Sequence, residues 1–535
     1  MQLIKNSRGG NVTATVLVCD GITSDGIEPL VKLEGVKLIF GKVDDIEDPE
    51  MIEGIMVRSA TKITESVLER FSGLKIIARA GVGVDNIDLT AATKKGVLVV
   101  NAPEGNTIST AEHTWAMMMS LVRNIPQANQ SVKTGEWDRK KYTGQELYQK
   151  TLGIIGMGRI GSELAKRAKS FSMNVLVFDP YFSLEKQKEL SVTSVDLDTL
   201  IQQSDIITVH TPLTKDTRKL LNYDNLKNTK KGAYILNCAR GGIIDEEALL
   251  HYLNTGHLSG CALDVFEQEP PVNRSLIDHP NVIVTPHIAA STIQAQKNVA
   301  YMASDEIKSF ILNKPLKHAV NFPSLSKDTY EKLIAYYDFS HVLGSFTTQF
   351  FKEPVTEISI GYGGSLSETD TTSLTRSFLC GFLKTRLGRP VNDVNSMVAA
   401  NERGIVVGEK RGTDDYGYPN IIHVKVTGQN RTFTLSATLV KGFGGRIIQL
   451  NGYTVDFVPQ GSLLYIEHRD TPGIIGKVGA FLGERKINIA TMHVGRKSAG
   501  GEAMMVLTFD SQLPEEIQKE LVSIDDLLVC KPLDL

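Results

Sequence analysis

The sequence predicts a multidomain α/β protein. It should hold two doubly wound parallel-sheet domains, then an α+β module, then a small domain of order β-α-β-β-α-β. Three observations carry this. Residues 12–101 alternate helical stretches with short apolar runs: VTATVLVCD, GVKLIF, EGIMVRS, LKIIARAG and GVLVVNAP. A second series starts at Thr151 and continues through SDIITVHTP, GAYILNCARGG, LSGCALDV and NVIVTPH, each apolar run ending in a polar or charged residue. Beyond Pro323 the strands become alternating and the helices amphipathic.

The first domain is expected to be discontinuous, 1–102 plus 292–322, because residues 291–313 read as a helix able to return to it. The second domain is then 103–291, opening with a long helix over 103–122 after a Pro-Glu-Gly turn. Residues 325–456 read as a non-catalytic α+β module, with no cluster of acids, bases or nucleophiles. Residues 462–535 give strand, helix, strand, strand, helix, strand, which is the ferredoxin-like order.

The richest stretch runs from Thr151 to Pro180. Leu152, Ile154 and Ile155 form a strand, and Gly156, Gly158 and Gly161 follow as G-x-G-x-x-G. The first glycine permits a tight turn, the second admits a pyrophosphate, and the third lets helix and strand pack closely. The next helix directs its free N–H groups and dipole at the phosphates. Val175–Phe178 form the second strand, and Asp179 ends it, 18 residues after Gly161. That carboxylate suits an adenosine ribose and repels a 2′-phosphate, so the expected cofactor of this Rossmann-like domain is NAD.

At 535 residues the chain exceeds a single core, and its net charge of −3 points away from nucleic acid and membrane surfaces. Any anionic substrate must be drawn by a local basic cluster. The five cysteines are scattered without a C-x-x-C pair, no apolar run is long enough to span a bilayer, and MQLIKNSRGG lacks an apolar leader core. The expectation is a cytoplasmic protein with reduced thiols, and no metal site is expected.

A nicotinamide enzyme needs a proton-transfer group, a substrate anchor and a hydride path. His287 in VIVTPHIAAST follows a strand and is the best-placed histidine for acid/base work. Glu269 in DVFEQEPP lies in a proline-stiffened loop and can stabilise the imidazolium, with Glu267 as its rival. Arg240 in NCARGGIID is followed by two glycines, and its guanidinium can hold a carboxylate with two hydrogen bonds.

These three residues, with the glycine motif, resemble the D-isomer-specific 2-hydroxyacid dehydrogenase family. VRSATKIT, ARAGVGVDNID, NAPEGNTISTAEH, NCARGGIIDEEAL, ALDVFEQEPP and TPHIAAST extend the likeness to its long forms. In those forms residues 325–456 are similar to an allosteric substrate-binding insert, and 462–535 to an ACT regulatory domain. The resemblance implies His287 as acid/base residue, Glu269 as its partner and Arg240 as substrate anchor. It places Arg159 and Ile160 at the pyrophosphate and Asp179 at the ribose. Thr211 and Asp264 fall in the nicotinamide half, with Cys238, Ala239, Ala290 and Val82 completing the cofactor set. Ala289 departs from the family, whose members often carry glycine there.

The resemblance further implies oxidation of 3-phospho-D-glycerate, whose phosphate needs its own cations. Arg58 and Arg79 end neighbouring strands, Gly81 and Gly83 stand beside Arg79, and Asn106 joins the expected substrate set. Arg139, Lys140 and Lys141 follow Trp137 on a segment able to reach in from a partner subunit of a homo-oligomer, dimer or tetramer. In the ACT-like domain His468, Asp470 and Asn488 form a set suited to L-serine. Two alternatives stay open: another 2-ketoacid reductase, for glyoxylate or 2-oxoglutarate, or an NAD-sensing binding protein of the same fold.

Overall fold

The computed structural model describes residues 14–535 apart from 388, 389, 413, 415 and the Lys327 side chain. The segment MQLIKNSRGG and the first residues of the opening strand stretch lie outside the described residues. The chain divides into two compact units. One holds the residues up to Arg79, Val84–Asn101 and Ala303–Leu535; the other holds Ala80–Gly83 and Ala102–Met302.

The first unit contains three sheets. The N-terminal one is wholly parallel, with β1 (Ala14–Val18), β2 (Val36–Phe40), β3 (Gly54–Val57), β4 (Ile76–Arg79) and β5 (Leu98–Val100) in the order β2-β1-β3-β4-β5. Its strands read as continuous apolar runs because both faces are covered, and Leu17, Ile55 and Ile77 are fully buried. Val57 pairs with Arg79, so Arg58 and Arg79 emerge at the same edge of adjacent strands.

The α+β module forms a mixed sheet of β13 (Val355–Gly364), β14 (Val406–Arg411), β15 (Asn420–Gly428), β16 (Thr432–Val440), β17 (Gly444–Leu450) and β18 (Tyr453–Phe457). The terminal sheet is antiparallel, in the order β20-β21-β19-β22. Its strands are β19 (Ser462–Arg469), β20 (Ile489–Arg496), β21 (Glu502–Phe509) and β22 (Leu527–Asp534). The helices Ile474–Glu484 and Glu515–Leu521 fall between strands as the periodicity predicts. Polar ties hold the module to the helix Leu89–Lys94 and the turn after it in the first domain: Asn392 Nδ2 donates to Gly96 O at 2.8 Å and Asn395 Nδ2 to Lys94 O at 3.4 Å. These ties help to hold the first domain and the module in one unit.

The second unit is a seven-stranded parallel sheet. Its strands are β6 (Thr151–Ile155), β7 (Asn174–Phe178), β8 (Thr193–Ser194), β9 (Ile206–Val209), β10 (Ala233–Asn237), β11 (Leu258–Leu263) and β12 (Val282–Val284). The order is β12-β11-β10-β9-β6-β7-β8. The chain enters at β6, builds outward to β8, then returns to β9 on the other side of β6. The gap between β6 and β9 is therefore the switch point where ligands bind in open α/β sheets. Helices Thr107–Val122 and Arg159–Ser170 cover one face through Met117, Leu121, Leu164 and Ala168. Helices Leu197–Gln203 and Glu246–Asn254 cover the other through Leu200 and Leu249. The helix expected over 291–313 spans Ile293–Ile311. No helix among the described residues is long and apolar enough to cross a membrane.

Candidate active site

The glycine turn lies at the switch point. Gly156 has φ +94°, and a Cβ there would sit 2.7 Å from His210 O, at the end of β9. A Cβ on Gly161 would sit 2.3 Å from Gly156 O, so helix and strand approach as the motif requires. Gly158 differs: a Cβ there meets nothing within 4 Å. It is also the N-cap of the Arg159–Ser170 helix and supplies no side-chain cap, which leaves that helix's first N–H groups for an anion. Asp179 ends β7, and its carboxylate accepts from Met157 N at 2.7 Å and Tyr181 N at 2.8 Å. The Asp179 carboxylate and the glycine turn are thereby locked together. The Thr211 hydroxyl oxygen, just after β9, is buried without a hydrogen-bond partner among the described residues. Burial pushes the neighbouring His210 down to about 4, so its ring is neutral. An open cradle, an uncapped helix and an orphaned hydroxyl fit a dinucleotide.

Arg159 pairs with Glu104 at 3.3 Å, and both side chains are about half exposed at 55%. An exposed pair of this kind is worth about 0–1 kcal/mol. If Arg159 meets the pyrophosphate, Glu104 competes with the cofactor for it. Glu104→Gln is then expected to tighten NADH binding by up to about fivefold at low salt. Titration of NADH fluorescence at two ionic strengths checks it; unchanged affinity removes Arg159 from the pyrophosphate.

The chemistry-bearing side chains follow β10, β11 and β12, which lie side by side. Asn237, nearly fully buried at the end of β10, shapes the turn that carries Arg240. Its Nδ2 donates to Arg240 O at 2.8 Å, and its Oδ1 accepts from Ala239 N at 3.0 Å. Cys238 is buried, and burial pushes its thiol up to about 12, so it contributes backbone and packing rather than a nucleophile. The Arg240 guanidinium donates to Ala239 O at 2.7 Å.

Of the two acids the sequence leaves open, Glu269 is the one on the histidine. Its Oε2 lies 2.8 Å from His287 Nδ1, and its Oε1 accepts from Phe266 N at 3.2 Å. Glu267 instead accepts from Glu246 N at 3.4 Å. A carboxylate only accepts, so Nδ1 carries the hydrogen and Nε2 presents a lone pair. His287 is half exposed, at 50% of its side-chain surface. The pair can take a proton from a substrate hydroxyl and hold the resulting imidazolium.

Asp264 is fully buried after β11. Thr285 Oγ1 donates to its Oδ1 at 2.6 Å, Ile288 N to Oδ1 at 2.8 Å and Ala289 N to Oδ2 at 2.9 Å. Sequence reasoning found Asp264 but not His113, whose Nε2 lies 3.1 Å from Thr285 Oγ1 and 3.4 Å from Asp264 Oδ1. Only the position of His113 in a long helix was visible, and nothing in that pattern marks a partner this far along the chain.

The remaining candidates fall elsewhere. Asn106 is the N-cap position of the Thr107–Val122 helix, its Oδ1 buried without a hydrogen-bond partner among the described residues. Gly81 O accepts from Ala102 N at 2.8 Å, which ties the Gly81–Gly83 segment beside that helix's entry. Arg139 and Lys141 stand exposed on a turn in which Asp138 accepts from Lys140 N at 3.0 Å and Lys141 N at 3.2 Å. Among the described residues no hydrogen bond or ion pair links them to Arg240, Glu269 or His287. Trp137 beside them is 78% exposed. In the terminal domain Nδ1 of the buried His468 donates to Arg469 O at 2.8 Å, and its Nε2 has no hydrogen-bond partner among the described residues. Asp470 accepts from Gly500 N at 3.1 Å and from Arg496 at 3.4 Å, and these donors hold its pKa below the usual range. Asn488 donates to Asp510 at 2.9 Å.

Residues 115–289 match the D-isomer specific 2-hydroxyacid dehydrogenase, NAD binding domain. Residues 332–451 match the D-3-phosphoglycerate dehydrogenase intervening domain, and 462–526 the ACT domain. A D-3-phosphoglycerate dehydrogenase of Bacillus subtilis is 51% identical over 97% of this chain and 99% of its own length. One from Methanocaldococcus jannaschii is 41% identical over 96% of this chain and 99% of its own. Among solved structures, D-lactate dehydrogenase from Aquifex aeolicus, complexed with NAD and lactic acid, aligns with TM-score 0.51 and 33% identity over 58% of this chain and all of its own. A glyoxylate reductase from Paecilomyces thermophila aligns with TM-score 0.53 and 28% identity over 58% of this chain and 98% of its own. The chain belongs to the D-isomer-specific 2-hydroxyacid dehydrogenases, in the branch formed by the D-3-phosphoglycerate dehydrogenases.

Proposed function

We propose that the protein oxidises 3-phospho-D-glycerate at C2 to 3-phosphohydroxypyruvate with NAD, as the entry step of L-serine synthesis in the cytoplasm. The observation that carries this is the Glu269–His287 pair, 2.8 Å apart, in an NAD-binding domain whose full-length relatives bear that activity in their names. NAD supplies the hydride acceptor when bound, with the glycine turn, Arg159, Ile160 and Asp179 holding its adenosine half. Thr211, Cys238, Ala239, Asp264, Ala290 and Val82 belong to the nicotinamide half. His287 Nε2 takes the C2 hydroxyl proton, Glu269 stabilises the imidazolium, and Arg240 holds the substrate carboxylate. Loss of NADH formation when 3-phosphoglycerate is offered with a ketoacid-trapping reagent would sink the substrate assignment. The same assay with glyoxylate or 2-oxoglutarate and NADH tests the rival reductase reading.

The phosphate is assigned to Arg58 and Arg79, on the shared edge of β3 and β4, with Gly81, Gly83 and Asn106 shaping the substrate segment. Arg139 and Lys141 are assigned to substrate contacts made across subunits of a homo-oligomer. A hydrogen bond to a charged group is worth about 1.5–3 kcal/mol. Arg79→Ala is therefore expected to raise KM for 3-phosphoglycerate by about 10- to 100-fold, with little change for an unphosphorylated 2-hydroxy acid. Equal changes for both acids would remove the phosphate from Arg79.

The terminal domain is assigned to L-serine. The lone pair on the buried His468 Nε2 suits an ammonium group, and Asp470 follows at the same end of β19, whereas Asn488 precedes β20 at the opposite end of the sheet. Serine added to the assay should lower the rate, and a rate unchanged by serine removes the effector.

A further inference from the structure

His287 occupies an uncommon backbone state, with φ at +53°. A left-handed conformation in a residue other than glycine costs about 1–3 kcal/mol and persists only where the surroundings hold it. Here the holder is Asp264. Its carboxylate bonds Thr285 on one side of the histidine and the N–H groups of Ile288 and Ala289 on the other. The turn is also closed from within, His287 N donating to Thr285 O at 3.0 Å. Burial pushes the Asp264 pKa up, but hydrogen bonds from His113, Thr285, Ile288 and Ala289 outweigh it and keep the group below its ordinary value. It is therefore an anion, gripping the turn with full charge.

His113 completes the grip from the Thr107–Val122 helix. Thr285 has one hydroxyl proton, and the 2.6 Å contact commits it to Asp264. The 3.1 Å contact between His113 Nε2 and Thr285 Oγ1 then needs its hydrogen on Nε2, directed at Thr285 and, at 3.4 Å, at Asp264. The alternative tautomer would set two lone pairs against each other.

We propose that His113 is a positioning residue: through Thr285 and Asp264 it fixes the strained turn that aims His287 at the substrate hydroxyl. This rests on the acid/base reading of His287 and extends it by one layer. The device places a donor, a hydroxyl and a buried anion in series behind the imidazole. None of its bonds involves the glycine turn at Gly156–Gly161.

The test uses the full-length enzyme with His113→Leu and His113→Gln. Leucine removes the donor, while glutamine can place an amide N–H where Nε2–H stood. For His113→Leu, kcat is expected to fall by about 10- to 100-fold, the loss typical of a reacting group displaced by a fraction of an ångström to one ångström. The Kd for NADH, read by fluorescence, should stay within about twofold, and His113→Gln should recover most of kcat. A merely structural role would move melting temperature and NADH affinity together and would not separate the two variants. Unchanged kcat in His113→Leu overturns the proposal. So does a weakening of NADH binding that matches the loss in kcat, since the network would then serve the nicotinamide and not the histidine. If His113→Leu does not fold, Thr285→Val against Thr285→Ser gives the same comparison at the next link. A wild-type enzyme that oxidises only another D-2-hydroxy acid would overturn the substrate reading, and the His113 test would then be read with that acid.

Discussion

Replacing His287 by alanine is expected to lower kcat by about 10²–10⁴-fold while NADH still binds. The size follows from what the side chain supplies. With Nδ1 committed to Glu269, Nε2 is the proton acceptor the geometry offers, and a positioned general base contributes about 3–5 kcal/mol to the barrier. NADH affinity survives because the glycine turn, Asp179 and the uncapped helix lie on other strands. Alanine also alters the backbone preference at φ +53°, so His287→Asn is the better-controlled variant, since asparagine tolerates that region. Both variants should lose turnover to that extent. Turnover retained by either one shows that another group moves the proton.

Glu269→Gln should cost less, about tenfold, because an amide oxygen can still accept from Nδ1–H but carries no charge to stabilise imidazolium. The ordering Ala ≈ Asn at 287 below Gln at 269 is a consequence of which atom meets the substrate. It can be read from kcat alone.

How far such roles were legible depended on how local their cause is. The strand–turn–helix around Gly156 was legible because each glycine answers a short-range demand, and the structure shows those demands as atoms a Cβ would strike. The parallel sheets were legible because burial on both faces leaves uninterrupted apolar runs. Glu269 against Glu267 was undecidable from spacing: both lie in one loop, and only the fold shows which carboxylate turns toward His287 and which toward Glu246 N. His113 was out of reach, since its partners come 151 and 172 residues later, and a helical histidine beside small residues is an ordinary sight. The tie between the α+β module and the first domain was likewise hidden, as two asparagine side chains meeting backbone carbonyls leave no periodic trace.

Gly241→Ala is expected to be the most disruptive single-methyl change in the site. A Cβ at Gly241 would lie 1.7 Å from Phe266 O and 2.8 Å from Glu267 N. These are backbone atoms, so no side chain can swing aside. Either the Arg240 turn lifts off or the loop from Phe266 to Glu269 is pushed out, and Glu269 is tied to that loop by its bond to Phe266 N. Overpacking of this kind costs about 1–3 kcal/mol, and a displacement near one ångström costs about 10²-fold in rate. The expected result is a lower melting temperature together with a loss of about 10²-fold or more in kcat/KM. Gly158→Ala makes the contrast, because its Cβ meets no protein atom within 4 Å. That variant should melt like the wild type yet bind NADH more weakly, the methyl group standing where the pyrophosphate must approach. A Gly241→Ala enzyme with wild-type turnover would mean that Arg240 and the Glu269 loop need not touch for the reaction to proceed. The guanidinium would then have to be removed from the catalytic set.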